Sequence, residues 1–150
     1  MKIRGATNRD LDAVEGLLSA NDLPLDGVKE HFSSFVVAED NGEIAGAIGL
    51  EKFGSVALLR SAVVSPKYRG GGIGRRLVEQ VLKRASDEGI EELFLLTTTA
   101  EKYFPRFGFS PTVRSAVPAA VTASAEFQGA CPDSAVVMTR RITPGTKVQA

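Results

Sequence analysis

The sequence predicts an α/β layered fold, a mixed and mostly antiparallel central sheet of six to seven strands flanked by helices. Three observations carry this expectation. Strand-like and helix-like stretches follow one another as strand, helix, short helix, three strands, helix, strand, short helix, two strands. Asn41-Gly42 is a hairpin signal, because both central positions of a type I′ turn need positive φ. Leu93 to Leu96 (LFLL) is a continuous apolar run after an amphipathic helix, as expected of a strand buried on both faces. One domain over residues 1–142 is expected, with Thr143 to Ala150 as a frayed tail.

Each element has a local reason. Lys2 to Ala6 reads as a short first strand. Thr7, with Asp10 three residues on, caps a helix whose apolar face is Leu11, Val14, Leu17 and Leu18. Asn21 to Asp26 (NDLPLD) is a loop, and Gly27 to Phe32 a short second helix. Phe35 to Asp40 and Glu43 to Glu51 form the hairpin, and Ser55 to Val64 continues the meander. Pro66 ends that strand, since proline offers no ladder donor. The next helix carries Ile73, Leu77, Val78, Val81, Leu82 and Ala85 at helical spacing and stops at Gly89. Thr97 to Phe107 reads as a short helix broken near Pro105, Gly108-Phe109 as a new extended piece, and Ala135 to Ile142 as the closing strand.

Composition excludes several function classes. Lysine plus arginine and aspartate plus glutamate number 18 each, so no charge excess draws the chain to nucleic acid or a membrane surface. No apolar run approaches the ~20 residues of a membrane span. The N-terminus lacks a signal-peptide pattern, so a cytoplasmic protein is expected. A single cysteine, Cys131, allows no internal disulfide, and no metal site is expected.

The stretch Arg60 to Ala85 concentrates the chemistry. Arg69 to Gly74 (RGGGIG) opens the amphipathic helix, where unobstructed N–H groups and the helix dipole favour a phosphate or pyrophosphate. Two spellings are excluded. No lysine follows Gly74 as a P-loop requires, and Gly70 and Gly72 are followed by Arg75 where a dinucleotide fingerprint needs glycine.

What fits is R-x-x-G-x-G, with "AVVSPKYRG" before it and "YFPRFGF" (Tyr103 to Phe109) later. These segments, in this order, resemble the GCN5-related N-acetyltransferase superfamily, and the resemblance runs from about Ile3 to Ile142. It implies that fold, with acetyl-CoA as co-substrate. Val63 and Val64 would then pair with the pantetheine amides as an added strand does. Arg69, Gly70, Gly71, Gly72, Ile73, Gly74 and Arg75 would hold the pyrophosphate. Leu93 to Leu96 would splay from Ser61 to Val64 and leave room for the pantetheine. Thr97 stands where many members have asparagine, and Phe104 where many have a tyrosine acid. Tyr103 is one residue off, about 100° around a helix, and reads as a packing residue.

Acetylation needs a neutral amine, a polarised thioester and a leaving thiolate. The backbone N–H near Val64 is the candidate for polarising the carbonyl. Glu51, which the pattern places at a strand end, is the candidate base or amine contact. Ala45, Ala47 and Gly49 share its face, which could border a cavity. His31, the only histidine, reads as a partly exposed helix residue. Arg60 interrupts an apolar strand; it either pairs with Glu51 or clamps an acceptor carboxylate. Arg114 is a second clamp candidate. Leu23 and Pro24 would roof the acceptor pocket, as the corresponding loop does in the family.

The run "LFLLTTTAEKYFPRFGF" resembles amino-acid N-acetyltransferases of the N-acetylglutamate synthase type. Together with "GLEKFGSVALLRSAVV" and "EFQGACPDSAVVMTRR" it resembles the arsenic-resistance N-acetyltransferase subgroup. That resemblance implies transfer to the α-amine of a glutamate-like acceptor, including arsinothricin or phosphinothricin analogues. The alternatives are a protein or peptide N-acetyltransferase and a catalytically weak acyl-CoA-binding module. The expected partner is a small amine; a homodimer is admitted, and neither nucleic acid nor membrane is expected.

Overall fold

The computed structural model describes residues 1–132 and 134–142. The expected tail, Thr143 to Ala150, lies outside the described residues. Among the described residues, seven strands form one sheet in the order β1-β2-β3-β4-β5-β7-β6, and they divide into two compact units, Met1–Glu51 with Arg60–Lys83, and Lys52–Leu59 with the described residues from Arg84 onward.

In the first unit, β1 (Lys2–Gly5) pairs antiparallel with β2 (Phe35–Asp40), and β2 with β3 (Glu43–Phe53) across the Asn41-Gly42 turn. Asn41 and Gly42 both have positive φ, 50° and 86°, as the hairpin demands. A register shift between Ala38 and Glu39 makes Ala45 the extra residue of a bulge, and its carbonyl accepts the N–H of Ser65 at 2.8 Å. That bond pins the end of β4 (Val56–Val64) to β3.

Helix α1 (Leu11–Ala20) follows a 3₁₀ turn that Asp10 organises. Its carboxylate accepts the Thr7 N–H at 2.7 Å and two hydrogen bonds from Arg4, at 2.8 and 3.0 Å. The Arg4 guanidinium, ahead of the Thr7 amide, pulls the Asp10 carboxyl down to about 2, against the cost of its burial. Val14 and Leu18 of α1 are buried in a cluster with Val28, Phe32, Phe35, Val37, Ala47 and Val63. Phe35 faces Gly49 across the β2–β3 pair, and its ring occupies the space where a Cβ at Gly49 would stand. At Gly49, the small-residued face expected to border a cavity is therefore filled by this ring.

Three element expectations need correction in this unit. Gly27 to Phe32 forms turns, not a helix; Gly27 has φ +82°, which stops helical propagation, and only a 3₁₀ turn at Phe32–Ser34 follows. Strand β3 runs on to Phe53, so Glu51 is an interior strand residue and is buried. Within β4, Ser61 has φ +59°, a left-handed conformation that breaks the alternation expected along VALLRSAVV.

Helix α2 (Ile73–Asp87) buries Ile73, Leu77, Val78, Val81 and Ala85, the stripe its spacing predicts, with Leu82 half-buried at the margin. In the second unit, β5 (Glu92–Thr97) pairs parallel with Val56–Leu58 of β4 and antiparallel with β7 (Val136–Arg141), which also pairs with β6 (Ser110–Thr112). Leu93, Phe94 and Leu95 are buried, as the continuous apolar run requires. The helix expected over Thr97 to Phe107 is reduced to turns and a 3₁₀ segment at Phe104–Phe107. Pro105 cannot donate in a helix interior, and Thr97 Oγ1 takes the Ala100 N–H at 2.9 Å. Helix α3 (Ala119–Thr122) packs Val121 with Leu58, Phe94, Val117 and Val137.

Candidate active site

The glycine loop grows out of the end of β4. Ser65 accepts the Tyr68 N–H at 2.8 Å, which makes a 3₁₀ turn over Pro66–Tyr68. Gly70 (φ +88°) and Gly72 (φ +82°) then take left-handed conformations that side chains rarely adopt, and α2 begins at Ile73. A Cβ at Gly70 or Gly72 would meet nothing within 4 Å, so their backbone borders open space. Met1, Asp40, Lys67, Tyr68, Arg69, Gly70, Gly71, Ile73 and Arg76 line an open depression of about 530 Å³ there. Glycine amides, the helix N-terminus and three basic side chains, set beside one carboxylate, Asp40, give this corner groups that could hold an anion.

The arginines divide differently from the sequence expectation. Arg69 reaches back: its Nε donates to the Val64 carbonyl at 3.1 Å and its Nη2 to Asn21 Oδ1 at 2.8 Å. Arg75 pairs along the helix with Glu79 at 3.2 Å, while Arg76, expected to be a solvated helix residue, lines the depression. Tyr68, which sequence reasoning passed over, donates to Asp40 or Glu43, at 3.1 and 3.0 Å. Loss of surrounding water and then these carboxylates push its phenol up to about 12, so it stays a neutral donor.

Next along the chain toward the N-terminus is the β4 backbone. Val63 is buried in the first unit's core, whereas Ala62 is exposed and Val64 half-buried. A Cβ at Gly46 would fall 2.8 Å from the Val63 carbonyl, so only glycine permits this approach of β3 to β4. Ser61, at its positive φ, turns its hydroxyl to the Arg60 Nε, 3.0 Å away.

Arg60 and Glu51 form a buried charge pair. Arg60 Nη1 donates to Glu51 Oε1, and Nη2 donates to the Pro24 carbonyl at 3.3 Å. The Arg60 side chain is 0% exposed and that of Glu51 3%. Of the two expectations for Arg60, the pairing is realised. A carboxylate clamp would require Nη2 to exchange the Pro24 carbonyl for the ligand. Beyond the pair, His31 Nε2 stands 3.5 Å from Glu51 Oε2, with its side chain 31% exposed. A Cβ at Gly27 would meet Arg60 Nη1 at 2.9 Å and Glu51 Oε1 at 3.1 Å.

So the first unit brings together Pro24, Gly27, His31, Glu51 and Arg60. Leu23 is half-buried against the core cluster. Three other predicted residues belong to the second unit. Thr97 is engaged by the turn it caps. Phe104 is buried, edge-on to Phe109 with ring centroids 5.7 Å apart. Arg114 lies over the Phe127 ring at 5.4 Å. Tyr103 packs edge-on against Phe104 and Phe107 with the Arg106 guanidinium 4.6 Å from its centroid, which fits the packing role read from its position. Among the described residues no group of His, Cys, Asp and Glu could hold a metal. No helix among them is long and apolar enough to cross a membrane.

His31 is partly exposed, as its sequence suggests, but stands on a turn and not a helix; neither the close approach of Gly27 to the ion pair nor the twist at Ser61 has a local signal. His31 was visible only as the sole histidine; its approach to Glu51 bridges 20 positions that no local pattern links.

Comparison with known proteins bears on the fold and the family. An uncharacterized N-acetyltransferase of Chlorobaculum tepidum is 34% identical over 86 residues, 57% of this chain and 55% of that one. The amino-acid acetyltransferase of Neisseria meningitidis serogroup A is 31% identical over 96 residues, and that of Pseudomonas aeruginosa PAO1 32% over 106. These alignments span 61% and 67% of this chain but only 21% and 24% of those proteins. The chain thus spans about half the length, or less, of these relatives. In fold it matches N-acetylglutamate synthase of Neisseria gonorrhoeae, complexed with coenzyme A and N-acetyl-glutamate. The TM-score is 0.82 at 24% identity, covering 95% of this chain and 35% of that one. Rv2747 of Mycobacterium tuberculosis, in complex with CoA, matches with TM-score 0.82 at 23% identity, covering 95% of this chain and 100% of that one. The family profile described as "Acetyltransferase (GNAT) family" matches residues 8–109, about two thirds of the chain, and the protein belongs to that family.

Proposed function

We propose that the protein is an acetyl-CoA-dependent N-acetyltransferase acting on the α-amine of a small, glutamate-like amino acid, with phosphinothricin- and arsinothricin-type analogues in the same acceptor class. The observation that carries the donor half is the loop at Gly70 and Gly72, open at its backbone and aimed at the N-terminus of α2. Its amides, with Arg76 and Lys67 along the depression, would hold the CoA pyrophosphate. Val63 and Val64 would pair with the pantetheine, with Arg69 holding the Val64 carbonyl.

The acceptor half rests on the pair Glu51–Arg60, which the Pro24 carbonyl touches, and on the relatives named amino-acid acetyltransferase; Leu23 and Pro24 would roof the acceptor. A neutral amine attacks the thioester carbonyl, which the N–H near Val64 polarises. The N–C bond forms, the C–S bond breaks, and the departing CoA sulfur takes the proton that the nitrogen sheds as the amide forms; no strong acid is needed, because thiol pKa values lie near ~8.5. No tyrosine acid is required, consistent with Phe104 at the family's usual acid position and Tyr103 held among aromatic rings.

Steady-state thiol release with glutamate, aspartate, phosphinothricin and a lysine-bearing peptide tests this reading. Release stimulated by the amino acids supports it. Release stimulated by the peptide alone replaces it with the peptide acetyltransferase. Acetyl-CoA binding without stimulated release replaces it with the acyl-CoA-binding module.

A further inference from the structure

The donor chemistry leaves His31 unused, and its surroundings give it a task. It sits on the turn after Gly27, between the buried Val28 and Phe32, and its N–H donates to the Gly27 carbonyl at 3.1 Å. These anchors hold the ring beside Glu51, 3.5 Å from Oε2, while about a third of it stays exposed to water. Glu51 is poorly suited to take a proton itself. Its Oε1 is bound to Arg60, whose side chain is fully buried, and a neutral Glu51 would leave that guanidinium charged without its partner. A carboxylate so fixed is better suited to steadying a cation on the imidazole next to it.

We propose that His31 takes the proton from the acceptor's ammonium, with Glu51 and Arg60 as the positioning residues behind it. This rests on the reading that the Glu51 corner faces the acceptor amine. One N–H bond of the ammonium breaks, its electron pair stays on the nitrogen, and a new N–H bond forms on the imidazole. The positive charge passes to the imidazolium beside Glu51. The freed pair attacks the thioester carbonyl, and collapse of the adduct breaks the C–S bond. A second nitrogen proton goes to the departing sulfur, leaving amide and CoA thiol. The imidazolium returns its proton to water across its exposed face. Among the charged groups around His31 are Glu51 and, across that carboxylate, Arg60; Lys29 and Glu30 are its neighbours in the chain.

The test is thiol release by H31Q and H31N between pH 6.5 and 9.5, with whichever of the four acceptors above the unaltered enzyme uses fastest. Acceptor kcat/KM is expected to fall roughly 100-fold at pH 7, the scale of general base catalysis, with the KM for acetyl-CoA unchanged. The deficit should shrink to within about threefold at pH 9.5, where the amine is increasingly neutral without help. Added imidazole should restore part of the activity of H31A. A deficit of equal size at every pH, or none at pH 7, overturns the proposal, and so does a raised KM for acetyl-CoA in both variants. The identity of the fastest acceptor decides the substrate reading separately, because the ratio of variant to unaltered enzyme is taken on that acceptor whatever it is.

Discussion

Gly27 and Arg60 stand so close that a single methyl group on Gly27 would lie 2.9 Å from the guanidinium. The turn that carries His31 is thus set against the buried ion pair without a side chain between them. Gly27→Ala meets two obstacles there, the clash and a φ of +82°. A loss of roughly 2–4 kcal/mol in unfolding free energy is expected by urea denaturation. A loss below about 0.5 kcal/mol would mean that the turn relaxes away from Arg60.

The pair itself should behave asymmetrically. Glu51→Leu leaves a buried guanidinium without its carboxylate and is expected to cost about 3–5 kcal/mol. Arg60→Met in the same chain should recover much of that loss, because the second charge is then gone as well. A double-mutant cycle in urea measures this, and additive costs would contradict the coupling. If Arg60 also contacts the acceptor, Arg60→Ala raises the acceptor KM far more than the acetyl-CoA KM.

Gly72→Glu places a carboxylate where a phosphate is expected, on a backbone at φ +82°. Acetyl-CoA affinity should fall by about 100-fold or more in calorimetric titration, roughly 2.7 kcal/mol. Since a Cβ there meets no neighbour, the far-ultraviolet circular dichroism should hold. Unchanged affinity would remove the pyrophosphate from this loop.

Asp10 gives the fold an acid limit. Its carboxyl titrates at about 2 when folded, against 3.8 ordinarily, so it binds fewer protons folded than unfolded. Its contribution is fully present above pH 3.8 and is lost as pH falls toward 2. Asp10→Asn should cost roughly 1–2 kcal/mol at pH 7 and progressively less across that window, followed by thermal unfolding. A cost independent of pH there would assign Asp10 a purely geometric role.

The sheet was legible because its signals are local. Asn41-Gly42 fixed the hairpin, the stripe from Ile73 to Ala85 fixed α2, and the run at Leu93 fixed the central strand. The glycine loop was legible for the same reason, since its spelling and its conformation occupy the same six residues. The corner at Glu51 and Arg60 was not. Gly27 reads as an ordinary helix-adjacent glycine until Arg60 and Glu51 are placed behind it. Periodicity assumes a regular strand, and Ser61 breaks that assumption within β4. The short helices at Gly27 and Thr97 failed because side-chain and glycine effects outweighed weak helical periodicity over a few residues.

The ring of Phe35 lying over Gly49 ties two positions into one inheritance. A side chain gained at 49 has room only if the aromatic at 35 is given up, and a smaller residue at 35 opens a void beside Val14 and Val63 unless position 49 fills it. Single changes at either position should therefore be rare among this protein's descendants. Where the two do change, they are expected to change together, with their summed volume held nearly constant.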